Sequence, residues 1–140
     1  MTMTAQASRL IPARPEEVWR TLTSRQGMKA YMMGADVETD WQVGHPIKMS
    51  GEHAGKRFED LGEVRSFEPT RRFSYTHQSG GKGPVHLVTV ELAPAGQSTE
   101  VTITQANADG SVTDADRQHR AEYERTWAMM LEVVEKAVRH

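Results

Sequence analysis

The spacing of apolar residues along this chain changes from one region to the next. At the C-terminal end, Tyr123, Trp127, Met130, Leu131, Val134, Ala137 and Val138 recur at three- and four-residue steps. That spacing makes one apolar stripe on a helix. Glu122, Glu124, Arg125, Glu132, Glu135, Lys136 and Arg139 fall between them and can face water. Thr113 and Asp116 have the spacing of a capping box, with Asp in place of Glu, and no Gly or Pro follows Gly110. The pattern predicts a helix over 114–138, roughly 37 Å long at the usual rise. A stripe of such bulk needs a broad apolar partner.

The preceding chain supplies one. From Ala35 onward the period is two. Val37 and Trp41 bracket one strand, Ile47 and Met49 lie in phase on the next, and residues 57–68 make a third, with Gly62 marking a bulge or close packing. Phe73, Tyr75 and His77 then share a face. So do His86, Val88, Val90 and Leu92 within residues 85–93, and Val101, Ile103 and Gln105 within residues 98–108. Turns are expected at 50–56, 69–71, 80–84 and 94–97, where Gly and Pro gather. Ahead of this run lie a short strand at 8–13 and two short helices. Pro15, Glu16 and Glu17 suit the start of the first. Ser24 caps the second, which ends at Gly34. Residues 1–7 read as a flexible tail. Short turns between alternating strands favour an antiparallel meander with one buried face. The expected class is therefore α+β, one domain over residues 1–140.

Composition narrows the partners. A chain of 140 residues with 26% charged and 37% hydrophobic side chains has the balance of a globular domain. A net charge of −2 gives no basic footprint for nucleic acid. No apolar run reaches the length of a membrane span, and the first residues lack a secretory segment, so a cytoplasmic location is expected. The absence of Cys excludes disulfides, thiol catalysis and Cys-based zinc sites.

The element order resembles the START-like helix-grip superfamily (SRPBCC), and within it the group related to the activator of Hsp90 ATPase. The residues that carry the likeness are Ile11-Pro12-Ala13-Arg14-Pro15-Glu16-Glu17-Val18-Trp19, the Val43-Gly44 turn, Gly62-Glu63-Val64, Ser98-Thr99-Glu100-Val101-Thr102-Ile103 and the terminal helix around Trp127. Relatives often have Trp where this chain has Tyr31-Met32-Met33, a second Gly at His45 and a Gly at Thr126; these departures change pocket shape. The resemblance implies a curved antiparallel sheet gripping the long helix, with a cavity between them.

The candidate ligand-binding residues are Met49, Phe73, Tyr75, Val88, Tyr123, Trp127 and Met130 as walls, with His77, His86 and Gln105 as a polar end. If His77 pairs with His86, an antiparallel ladder sets Tyr75 opposite Val88 and Phe73 opposite Val90, all on one face; a one-residue slip would destroy that match. Imidazoles so placed would hydrogen-bond a donor ligand, and less well once both rings are protonated in mild acid. His45, His53, His119 and His140 show no ligand spacing and are expected at the surface. No metal motif, nucleophile elbow or phosphate loop is present, so no cofactor and no metal are expected. Glu59, Asp60 and Glu63 are close in sequence, without a spacing that brings two of them together. Three classes stay open: a binder of a small apolar or aromatic molecule, a pocket enzyme of cyclase, dehydratase or hydrolase type, and a chaperone-interaction module. A homodimer is left open.

Overall fold

The computed structural model describes residues 3–138, apart from the side chain of His53. Strand β1 (Met3–Ile11) leads into helices α1 (Pro15–Thr23) and α2 (Arg25–Tyr31). Six strands follow: β2 (Asp36–Glu38), β3 (Pro46–His53), β4 (Lys56–Glu68), β5 (Arg72–His77), β6 (His86–Ala95) and β7 (Ser98–Asn107). Helix α3 (Asp114–Val138) ends the chain. The helix starts have the expected chemistry. Pro15 stands in the first turn of α1 with Glu16 and Glu17, and Ser24 Oγ accepts the Gly27 amide at 3.0 Å. At α3, Thr113 N–H donates to Asp116 Oδ2 at 2.9 Å while Asp116 N–H donates to Thr113 Oγ1 at 3.1 Å. That is a capping box closed in both directions.

The strands form one curved antiparallel sheet in the order β1-β7-β6-β5-β4-β3-β2. Five of its joints are simple hairpins. The sixth brings β1 across to the free edge of β7, so the first strand and the last helix meet. Ladder β5–β6 has the register read from the alternation: Phe73 opposite Val90, Tyr75 opposite Val88 and His77 opposite His86. Val37, Ile47, Met49, Val64, Phe73, Tyr75, Val88, Val90, Val101 and Ile103 are all buried on the inner face. Against them α3 buries Met130, Leu131 and Val134.

Strand β6 runs on to Ala95, so the turn expected at 94–97 is confined to Gly96 and Gln97, and three further differences from expectation shape the fold. Met3 to Ala7 are no tail: Ala5, Gln6 and Ala7 pair with Gln105, Thr104 and Ile103 of β7. Small and polar residues conceal this part of the strand, which forms because β7 offers an edge long enough to continue it. The region 50–56 is mostly strand, with β3 and β4 pairing as far as His53 and Lys56. Only Ala54 and Gly55 turn, both with left-handed backbone at φ 52° and 78°, as a tight hairpin needs. Trp41 lies outside β2, and its ring turns inward with its indole N–H donating to the Thr23 carbonyl at 2.9 Å. The irregularity in β4 falls between Val64 and Ser66, while Gly62 is a point of close approach. A Cβ there would lie 1.8 Å from the Thr76 carbonyl oxygen.

Helix α3 lies against β1, α1 and α2. Glu124 accepts the Gln6 amide at 2.9 Å, and Glu135 accepts from Arg9 at 3.0 Å. At the α1 end of the grip, Trp19, Trp41, Phe67 and Phe73 make a plug whose ring centroids lie between 4.9 Å and 5.5 Å apart. Among the described residues, no helix is long and apolar enough to cross a membrane.

Candidate functional site

Beyond the aromatic plug the sheet and α3 part, leaving a cavity of about 610 Å³. Nine of the ten residues expected from the sequence line it: Met49 of β3, Tyr75 and His77 of β5, His86 and Val88 of β6, Gln105 of β7, and Tyr123, Trp127 and Met130 of α3. Phe73 does not. It is fully buried and meets Trp19 and Trp41 edge-on in the plug. Phe73 and His77 share a face but stand about 13 Å apart along the strand at the usual rise. One strand face therefore serves the closed core at one end and the hollow at the other.

The walls are mainly apolar. Met32, Met33 and Ala35, from the segment following α2, add to Met49, Val88, Met130 and Phe58. Trp127 is held rather than loose: its indole N–H donates to Gln105 Oε1 at 2.9 Å, and Gln105 Nε2 donates to Thr4 Oγ1 at 3.3 Å. Gln105 lines the cavity, but its side-chain groups are engaged in fixing the Trp127 ring against the sheet.

Polar groups gather where β5 ends. The His77 and His86 rings lie nearly parallel, with centroids 6.4 Å apart. His77 Nε2 is 2.8 Å from Asp60 Oδ2, and Asp60 Oδ1 accepts the Gly80 amide at 2.9 Å. With Asp60 ionised, the proton of a neutral His77 sits on Nε2, which leaves Nδ1 as the basic nitrogen. On the other side His86 stands opposite Asn107 in the ladder. Asn107 Nδ2 donates to Asp116 Oδ2 at 2.8 Å and to the Ser111 carbonyl at 2.9 Å. His86 Nδ1 and Asn107 Oδ1 are both buried without a hydrogen-bond partner. Burial, and then the neighbouring His77, lower the pKa of His86; Asp116 and Asn107 oppose this less strongly. The Asp116 carboxyl is itself held low, first by the Thr113 amide of the capping box.

Tyr75 occupies the inner part of the cavity. It is 2% exposed, and its hydroxyl makes no hydrogen bond to any described residue. Burial pushes its pKa well up, so the hydroxyl stays protonated. Among the described residues, no cluster of three or more His, Cys, Asp or Glu could hold a metal ion. His45 and His119 are at the surface, paired with Asp40 and Glu122. His140 and the His53 side chain lie outside the described residues.

Asp60 is the functional candidate that sequence reasoning left unplaced. Its signal was phase, since Phe58, Asp60, Gly62 and Val64 share one face of β4. What hid it was the hairpin boundary, together with the bridge between Leu61 and Gln78 that carries β4 past the end of β5.

A family profile described as Activator of Hsp90 ATPase homolog 1-like protein matches residues 12–139. The chain belongs to this family. Among solved structures, the chain is similar to ChR145 from Cytophaga hutchinsonii. The two are 33% identical with a TM-score of 0.75, over 96% of this chain and 92% of that one. Protein MLL2253 from Mesorhizobium loti shares the fold at 23% identity and TM-score 0.76, over 94% and 93% of the two chains. DynU16, from the dynemicin biosynthetic locus, shares it at 16% identity and TM-score 0.79, over 96% of this chain and 46% of its own. No curated protein matched the sequence.

Proposed function

We propose that the protein binds one small, largely apolar molecule, aromatic or conjugated, in the cavity between the sheet and α3. The observation that carries this reading is the hollow itself. Its volume of about 610 Å³ lies within the roughly 300–1,000 Å³ common for small-molecule sites. Its walls are rings and methionines, and its polar groups are confined largely to the mouth. A domain whose sole task was to dock on another protein through its surface would have no need of that space between helix and sheet.

The polar end sets a preference. The His77 and His86 imidazoles each offer one acceptor nitrogen when the ring is neutral, and the Tyr75 hydroxyl can donate or accept. A ligand with an apolar body and a single hydroxyl, amide N–H or carbonyl at one end satisfies this arrangement. Protein purified without denaturant and examined by native mass spectrometry should carry a small molecule that is released on unfolding. Its fragments should contain an aromatic or conjugated system. Retention of a strongly polar polyanion, such as a nucleotide, would contradict the reading.

A further inference from the structure

We propose that the cavity is also a proton-transfer site for an enolisable ketone or aldehyde on an apolar skeleton, with His77 as the base and Tyr75 as the hydrogen-bond donor to the carbonyl oxygen. Asp60 is the positioning residue for His77. This inference rests on the ligand-binding reading and adds a reaction to it.

Three observations converge. Both oxygens of Asp60 are engaged, one by His77 Nε2 at 2.8 Å and one by the Gly80 amide at 2.9 Å. That pair fixes the imidazole and directs its basicity to Nδ1, the arrangement that serves general-base catalysis. Tyr75 is two residues earlier on the same face of β5, about 7 Å along the strand. One planar carbonyl group with its α-carbon can bridge that interval, its oxygen on the hydroxyl and its α C–H near the imidazole. Tyr75 is a buried residue that lines the cavity, and its hydroxyl has no partner among the described residues. An unpartnered phenol donor on a largely apolar cavity wall is suited to a developing oxyanion. An Asp–His pair that only tied β4 to the turn after β5 would need no such hydroxyl beside it.

The step balances without a co-reactant. The C–H bond α to the carbonyl breaks, its proton passing to His77 Nδ1 and its electron pair moving through the enolate to the oxygen, which Tyr75 hydrogen-bonds. The imidazolium, still donating to Asp60 through Nε2, returns the proton to the same carbon, or to the γ-carbon of a conjugated skeleton. The net result is exchange or isomerisation. The His77 side chain is 26% exposed, so its proton can also exchange with bulk water.

The probe is 2-tetralone, a bicyclic ketone small enough for the cavity. It is incubated with the protein in deuterium oxide, and loss of its α-proton signal is followed by NMR. At saturating ketone, His77→Gln and Tyr75→Phe should each slow exchange about 100-fold, with half-saturation changing less than about tenfold, the worth of one net hydrogen bond. Asp60→Asn should lower the saturating rate and leave half-saturation nearly unchanged, and Asp60→Glu should recover part of the rate. Tyr75→Phe removes only an oxygen that bonds to nothing described, so it keeps the test open if a His77 variant fails to fold. Ketone that binds, yet exchanges no faster with the protein than with the His77→Gln variant, overturns proton transfer and leaves the binding reading standing. Ketone and an apolar dye both failing to enter the folded protein would remove the two together.

Discussion

His86 shows how a single side chain couples the cavity to stability. Its ring sits between His77 on β5 and Asn107 on β7, with the Asp116 carboxylate behind. Burial lowers its pKa in the folded state, and His77 adds to the effect. The unfolded chain therefore binds more protons than the folded one below the unfolded value of about 6.5. Stability from this group is complete above that pH and is lost as pH falls towards the depressed folded value. His86→Gln removes the difference. Its urea midpoint should fall less steeply than that of the wild type as pH is lowered from about 7 to 5. Equal slopes would contradict a depressed imidazole. At this scale the sequence was informative wherever alternation spoke: His77, His86, Tyr75 and Val88 follow from face and register alone. Two roles were not legible in it. Gln105 was marked as a polar cavity residue, but its bond to Trp127 depends on how α3 seats on the sheet and its bond to Thr4 on β1 reaching back to Met3. Asp60 looked like one of several acids until the β4 bridge set it beside His77.

Among the elements, α3 was the most legible, because its capping pair, stripe and uninterrupted length all agree. Its energetic centre is Leu131, fully buried with Met130 and Val134. Leu131→Ala should cost about 2–5 kcal/mol in a denaturant melt. A change within error of zero would show that the helix does not seat on the sheet there. The β3–β4 hairpin was the least legible. Gly51 and Gly55 both read as turn residues, yet Gly51 continues β3 opposite Phe58 and only Gly55 turns. That extension matters, since it places Phe58 and Asp60 alongside the cavity. The β1 extension was hidden for a different reason. Thr4, Ala5 and Ala7 carry too little apolar bulk to show a period, and their pairing is dictated by the partner edge of β7.

Across the whole molecule, one sheet face does two jobs. At the plug end Trp19, Trp41, Phe67 and Phe73 fill the space between sheet and helices and make a solid core. At the other end the same strands present Tyr75, His77, His86 and Val88 to a hollow closed on one side by α3. The plug supplies the burial that lets the other end stay open. The methionines report on this division, because Met32, Met33, Met49 and Met130 line the hollow, Met28 is sealed in the core and Met129 is exposed on the outer face of α3. The most direct test is therefore a titration of protein labelled with carbon-13 at the methionine methyls, with 2-naphthol as an apolar probe bearing one donor. The methyl signals of Met32, Met33, Met49 and Met130 should shift together and saturate at one equivalent, while those of Met28 and Met129 stay in place. Shifts confined to Met129, or no saturable shift at any of the four lining methionines, would contradict a ligand cavity between the sheet and α3.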